Sequence, residues 1–238
     1  MIEFTPYASG SAGNLYSVHD GETKVLIEAG LPIRRMREAL GFGVSGLTGA
    51  LISHAHGDHA RSVKDLARLG IDCYMSAGTA EALGVSGHRI HVVKPLVQFQ
   101  LGSWAVLPFD VRHDAPDPLG FLLVNRAGER LAFITDTSYV PYRFRNLSVI
   151  AVECNYDLPV LRENVESGRV ARAVKSRVLH SHMSLETLCG FLSANDLSRV
   201  REIVLLHLSD DSSDAVRFKT EVQKLTGKPV RVAGSDLD

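Results

Sequence analysis

Four side chains that commonly bind metal ions lie within six consecutive residues, in the segment Ser53-His54-Ala55-His56-Gly57-Asp58-His59. Imidazole nitrogens and a carboxylate oxygen are ligands that suit zinc, manganese or iron. Residues two apart in an extended chain share one face, so His54 and His56 can point to the same side where the preceding apolar strand ends. The glycine then allows a tight turn, after which Asp58 and His59 begin a helix and can face back toward the strand. The segment therefore predicts a metal site.

Three more residues of ligand type follow predicted strands, namely His113, Asp136 and His207. The edge at which strands end is where open α/β sheets place their chemistry. Each of the three alone is compatible with an ordinary loop residue or a satisfied polar group. Together with the four in the first segment they supply seven ligands, enough for two metal ions with open positions. The sequence therefore predicts a two-metal centre that activates water.

The elements that position these residues are short apolar segments bounded by turn-forming residues, which is typical of strands. The predicted strands are Lys24–Glu28, Ala50–Ser53, Ile90–Val93, Ala105–Phe109, Gly120–Val124, Leu131–Ile134, Ser148–Val152 and Ile203–Leu206. Helical periodicity predicts one helix from Asp58 to Leu69, one opening at Ser184, and one from about Asp214 to Leu225. Strands with helices between them predict a layered α/β protein.

Composition narrows the class of protein. The 238 residues are 45% hydrophobic and 22% charged, with a net charge of −1, which is ordinary for a globular protein and argues against a histone-like electrostatic binder. Neither a membrane-spanning run nor a signal peptide is visible, so we expect a soluble, cytoplasmic protein without a membrane partner. Three scattered cysteines argue against a disulfide framework and a zinc ribbon. With no repeat or linker, we expect one domain over residues 1–238.

The sequence resembles the metallo-β-lactamase superfamily along nearly its whole length, and within it the WalJ/YycJ branch of nuclease-like hydrolases. The matching stretches are Ala8–Asn14, Ser53–His59, His113–Ala115 with Pro118 and Gly120, Thr135–Thr137, Glu153–Asp157, His182–Ser184 and His207–Ser209. The resemblance implies a single-domain, four-layer αββα sandwich with two divalent metal ions, zinc or manganese, at one edge. Two positions depart from the family pattern: Glu28 stands where Asp is usual, and Tyr156 where His is usual.

The resemblance also implies roles for the site residues. One metal ion would be held by His54, His56 and His113, the other by Asp58, His59 and His207, with Asp136 bridging them. Asp58, Asp136 and His182 would be the catalytic side chains, and a hydroxide bridging the two ions would be the nucleophile. His182 would lie near the substrate phosphate, as a hydrogen-bond donor or as the acid for the leaving group. The alternative interpretation of His182 is a polar residue just before a helix capped by Ser184.

Further candidates for substrate contact are Ser9, Ser11, Asn14 and Asn155. The loop that holds the first three can donate to phosphate or simply form a tight turn with its two glycines. The segment 161–177 carries five Lys or Arg against two Glu, a local balance of 5 − 2 = +3. It is compatible with a surface that guides a nucleic-acid backbone and equally with a solvated helix face.

The leading functional hypothesis is a two-metal phosphodiester hydrolase, and the resemblance to the WalJ/YycJ branch implies a DNA exonuclease acting at a 5′ end. A rival keeps the chemistry and takes a cyclic nucleotide or another small phosphodiester, like the anti-Pycsar and PhnP-like enzymes. That rival needs a closed pocket, often completed by a partner subunit, and so is compatible with a homodimer. A thioester, lactone or β-lactam hydrolase is a third hypothesis, and a non-catalytic metal-binding protein is a fourth.

Overall fold

A computed structural model describes residues 1–234, apart from the side chain of Ser45. Its strands form two β-sheets, of six and seven strands, with helices beside them. This confirms the predicted α/β class. The backbone divides into two compact units: unit 1 comprises Met1–Asp110 and Ala115–Leu131, and unit 2 comprises Val111–Asp114 and the chain from Ala132 onward. The expectation of one domain over residues 1–238 stays a prediction, and its last four residues lie outside the described part.

Unit 1 contains the six-stranded sheet, in the strand order β1-β2-β3-β4-β5-β6. The first three strands are antiparallel, and β3 to β6 are parallel to one another. The bounds are β1 Glu3–Ala8, β2 Leu15–His19, β3 Lys24–Ile27, β4 Gly49–Leu51, β5 Cys73–Met75 and β6 Ile90–Val92. Three further antiparallel strands follow along the chain, β7 Phe99–Leu101, β8 Trp104–Asp110 and β9 Leu119–Val124. The helices are α1 Ile33–Ala39, α2 Gly57–Ala60, α3 Val63–Arg68 and α4 Ala77–Leu83, with a 3₁₀ turn at Gly43–Gly46.

The chain passes into unit 2 within β10 (Arg130–Ile134). There β11 (Val149–Glu153), β12 (Glu202–Leu206) and β13 (Val230–Val232) are parallel neighbours. The helices are α5 Leu158–Glu166, α6 Arg172–Ser181, α7 Leu185–Ser193 and α8 Ala215–Thr226. None of the helices in the described part of the chain combines the length and the apolar character needed to cross a bilayer.

The neighbouring parallel strands β11 and β12 are buried on both faces, which explains their continuous apolar sequences. All five residues of β11 are buried, and four of the five in β12 are. In unit 1 the core lies between strands and helices and includes Leu26, Ile52 and Leu66, each fully shielded from solvent. The buried strands therefore have fixed positions, and they also fix the positions of the residues that directly follow them.

All eight predicted strands are present, with ends that differ by one or two residues. The predicted helix from Asp58 to Leu69 is wrong in one respect, because it is two helices that break at Ser62. The amide of Ser62 donates to the Ala29 carbonyl, and its hydroxyl donates to the Leu31 carbonyl at 2.6 Å. These bonds draw Ser62 out of the helix toward the loop after β3. The helices opening at Ser184 and Asp214 are confirmed, since each of these side chains accepts a bond from the first turn.

Candidate metal centre

Unit 1 brings the histidines of the first motif together at the end of β4. The Nε2 atom of His54 lies 3.1 Å from Nδ1 of His56, and the rings of His54 and His59 have centroids 4.2 Å apart. His54 and His59 are buried, whereas His56 and Asp58 are partly exposed. The side chains of the motif thus lie together at the end of this strand, and metal binding by them stays a prediction.

Asn14 holds this loop in place from the first hairpin. Its side-chain amide donates to the Asp58 carbonyl at 3.2 Å and lies 3.0 Å from Nε2 of His59. Its backbone amide also donates to the Asp58 carbonyl, and its carbonyl accepts from the amide of Gly30. A Cβ at Gly30 would lie 1.7 Å from the Asp58 oxygen, so only glycine allows this approach. Three segments distant in sequence are therefore locked together around the motif.

Glu28 supports the same loop through its side chain. It is fully buried, accepts from the Ser53 amide at 3.4 Å, and places Oε2 3.6 Å from Nδ1 of His59. Burial raises the pKa of Glu28, although the neighbouring His59 works in the opposite direction. The backbone of Glu28 is left-handed, with φ of 67°, which is rare for this residue type. The longer side chain thus still reaches the histidine that the usual aspartate would be expected to support.

Unit 2 contains a second cluster, made of side chains at the ends of four different elements. One ligand atom from each of Asp136, Glu153, His182 and His207 lies within 4.8 Å of the others. Asp136 follows β10, and His207 follows β12; both adopt left-handed backbone, with φ of 40° and 52°. Aspartate and histidine tolerate this conformation better than most residues. The chain therefore turns sharply where each of these two strands ends, and the side chains turn with it.

His113 lies at the edge of this cluster. Its Nδ1 atom is 2.9 Å from the carbonyl oxygen of Ser181, which fixes the ring with the proton on that nitrogen. Its Nε2 atom then faces Oδ2 of Asp136 at 3.6 Å. His207 places Nδ1 3.7 Å from Oδ1 of the same carboxylate. Asp136 thus has an imidazole beside each oxygen.

Glu153 is the functional candidate that the sequence reasoning missed. It is fully buried, and one oxygen lies 2.5 Å from Nδ1 of His182. The other oxygen accepts from the backbone amides of Thr137 and Met183. Burial disfavours an imidazolium, yet the Glu153 carboxylate raises the pKa of His182 above its ordinary value. The sequence signal that could have identified Glu153 is its position, as a charged residue at the end of an apolar strand. The same rule selected Asp136 and His207.

The residues predicted to contact substrate differ in their exposure and in their hydrogen bonds. Ser11 is exposed, the hydroxyl of Ser9 bonds to that of Tyr16 at 2.7 Å, and Asn14 is buried in the contacts given above. The side-chain amide of Asn155 donates to the His207 carbonyl at 2.8 Å. Substrate roles for these residues stay predictions. Tyr156, at the second departure from the family pattern, is buried.

The donor set in each unit fits divalent metal ions. Each unit presents histidine nitrogens and carboxylate oxygens, partly shielded from solvent, which is the donor chemistry of zinc and manganese. The basic segment in unit 2 is laid out along α5 and α6. Arg162, Arg169, Arg172 and Arg177 are exposed there, and Arg177 pairs with Asp114 at 2.8 Å.

Comparisons with known proteins agree with this donor chemistry. Residues 23–208 match the model of the β-lactamase superfamily domain. The chain is 29% identical to the exodeoxyribonuclease YycJ of Bacillus anthracis over 231 residues, covering 89% of this chain and 84% of that protein. It is 28% identical to the exodeoxyribonuclease WalJ of Streptococcus pneumoniae, with coverage of 89% and 83%. Its fold matches the metallo-β-lactamase fold protein YhfI of Bacillus subtilis, with a TM-score of 0.75 at 15% identity, covering 98% and 96% of the two chains.

Proposed function

Because this chain belongs to the metallo-β-lactamase superfamily, in the branch of WalJ and YycJ, we propose that it is a two-metal exodeoxyribonuclease. The chain is a metal-dependent hydrolase. One observation supports a phosphodiester as the substrate. The buried Glu153 carboxylate holds the His182 ring beside the carboxylate of Asp136, in the second cluster. A phosphodiester is anionic and has a poor leaving group, so it requires both positive charge and a placed proton donor.

The proposed ligands come from both units. His54, His56 and His113 would hold one ion, Asp58, His59 and His207 the other, and Asp136 would bridge them, with zinc or manganese as the metal. Bound ions of this kind polarise a phosphoryl oxygen and favour ionisation of water near neutral pH. The supporting evidence is the convergence of donors within each unit.

The protein's own side chains supply orientation and the proton. Glu153 accepts from Nδ1 of His182, so the Nε2 atom of this ring is the one that faces substrate in our proposal. The Glu153 carboxylate raises the pKa of His182 and so favours the protonated ring, which in our proposal donates to a phosphate oxygen or to the leaving oxygen. Asn155 holds the backbone of His207, and Asn14 and Glu28 hold His59.

DNA is the proposed substrate because both sequence relatives reported above are named exodeoxyribonucleases. The direction of degradation that we propose is from the 5′ end. The small-substrate alternative predicts a different preference, for cyclic mononucleotides, with a partner subunit closing the pocket. Thioester or lactone hydrolysis would make little use of the Glu153–His182 pair, since a neutral acyl substrate brings no phosphate to bind.

The deciding experiment offers the manganese- or zinc-loaded protein linear DNA labelled at the 5′ end, RNA and a panel of cyclic mononucleotides. We expect early release of the DNA label by the intact protein and its loss in Asp136→Ala, while the surface variant Arg34→Gln retains it. Turnover of cyclic nucleotides alone would replace the exonuclease by the small-substrate enzyme. Activity restricted to thioesters or lactones would refute phosphodiester hydrolysis.

A further inference from the structure

A basic groove in unit 1 has no role in the site described above. It consists of two clefts, of about 370 and 180 Å³, that share Lys64 and Val85 in their walls. The smaller cleft reaches Gly57, between the predicted ligands His56 and Asp58, and the larger one ends at Arg89. The two clefts together form a path that starts at the metal motif and leads away from it over α3.

The walls of this groove carry only one sign of charge. Its charged lining residues are Arg61, Lys64, Arg68 and Arg89, with His88 beside them, and no aspartate or glutamate lines either cleft. Arg68 pairs with Asp65 and Arg89 with Asp72, both outside the lining. Among the described residues, neither Arg61 nor Lys64 forms an ion pair. Two exposed cations therefore stand nearest the motif without a neutralising partner.

The opposite wall leaves room for a chain to lie in the groove. It is formed by the turn after α4, in which Gly84 and Gly87 both have positive φ and a Cβ at either would meet no atom within 4 Å. The apolar side chains that line the clefts, such as Leu83 and Val85, are aliphatic, and no Phe, Tyr or Trp lines either cleft. Such a groove has the means to bind phosphates by charge and lacks the means to stack bases.

We propose, building on the nuclease function above, that this groove binds the sugar-phosphate backbone of the DNA strand whose end is being hydrolysed. Arg61 and Lys64 contact phosphates next to the scissile bond, and Arg68 and Arg89 extend the contact by releasing their carboxylate partners. Because the contacts are to phosphates, binding is independent of base sequence and depends steeply on salt.

The test measures the affinity of the metal-loaded full chain for a phosphorothioate single strand on the order of ten nucleotides long, by fluorescence anisotropy across a salt series. For Arg61→Gln/Lys64→Gln we expect the Kd to rise on the order of tenfold at about 0.1 M salt. The slope of log K against log salt should shrink by about 1.4, as expected for two lost phosphate contacts on a single strand. The matched control is Arg34→Gln/Arg35→Gln on α1, which removes the same charge from exposed positions outside the clefts and should bind as the parent does.

Three results would overturn the proposal that the groove binds DNA. They are an unchanged Kd and slope, an equal loss of affinity in the control, or a loss of affinity confined to Arg162→Gln/Arg172→Gln on α5 and α6. The proposed nuclease function is judged separately, by hydrolysis of 5′-labelled DNA by the parent protein. If the parent degrades DNA and the groove variant binds normally, the groove alone fails. If the groove variant loses affinity but the parent hydrolyses no phosphodiester, the nuclease function fails and the groove stands.

Discussion

The two units assemble their clusters of candidate metal ligands in different ways. In unit 1 four candidate ligands occupy six consecutive residues, and the loop is held by backbone contacts from Asn14 and Gly30. In unit 2 successive members of the cluster lie 17 or more residues apart in the chain, and a buried carboxylate, Glu153, accepts a hydrogen bond from the His182 ring. The first cluster depends on close approach of backbones, and the second on the ends of neighbouring strands. Substitutions in the two clusters should therefore differ in their effects on stability and on metal binding.

The largest effect should come from closing the backbone approach in unit 1. In Gly30→Ala the new methyl group would overlap the Asp58 carbonyl, so we expect a loss of at least about 3 kcal/mol in the free energy of unfolding. Chemical denaturation measures it. Gly190→Ala on the exposed side of α7 is the control, and it should be neutral or gain up to about 1 kcal/mol. A soluble Gly30→Ala protein of parental stability would contradict the close approach.

Removing the charge of one carboxylate in each cluster tests which of the two side chains binds both ions. Asp136→Asn keeps a residue that tolerates left-handed backbone, and we expect it to lose both metal ions and more than about 10²-fold in activity, because a ligand matters more than its supports. Asp58→Asn should retain one ion, since the proposal gives this side chain a single metal. Elemental analysis of the two variants decides the point. Two ions in Asp136→Asn would rule out bridging.

A smaller effect is expected at the buried carboxylates behind the ligands. Glu153 accepts three hydrogen bonds, whereas Glu28 accepts one from a backbone amide and faces His59. We expect Glu153→Gln to weaken metal binding about 10- to 100-fold, and Glu28→Gln to weaken it less. Competition with a chelator gives both affinities. Equal losses would show that the two units rely on their carboxylates to the same degree.

The smallest effects distinguish the helix caps. Ser76 caps α4 in unit 1 and Ser184 caps α7 in unit 2, each accepting from an amide in the first turn. Replacing either by alanine should cost about 1 kcal/mol of stability. Only Ser184→Ala should also lower kcat, because Ser184 follows the backbone amide of Met183 that bonds to Glu153. An equal kcat in the two variants would place His182 outside the influence of this helix start.

The contrast between the units also explains what the sequence could predict. The motif of unit 1 is local, so its spacing alone brought His54, His56 and His59 into one predicted site. The unit-2 ligands were found because each follows an apolar strand, a rule that reads one strand at a time. Glu153 was missed because a charge at the end of a strand looks like the start of a loop until its partner is known. That partner, His182, comes from a helix end nearly thirty residues later.

The elements missed or misjudged have a similar cause. Five strands in the described part of the chain were not predicted. Strand β1 contains a proline, β2 carries polar residues, and β5, β7 and β13 have only three residues each. The break at Ser62 arises from bonds to Ala29 and Leu31, which helical periodicity does not reveal. Long-range hydrogen bonding decided these cases over local propensity.

The hydrogen bonds of Asn14 limit how many residues can be removed from the N-terminus of the protein. The segment that matches the superfamily domain begins at residue 23, after this asparagine. A version trimmed to that segment would leave the amide of Gly30 and the ring of His59 without the partners that Asn14 provides. Anyone seeking a minimal enzyme, or attaching a label to the first hairpin, should therefore treat residues 9–14 as part of the metal motif itself.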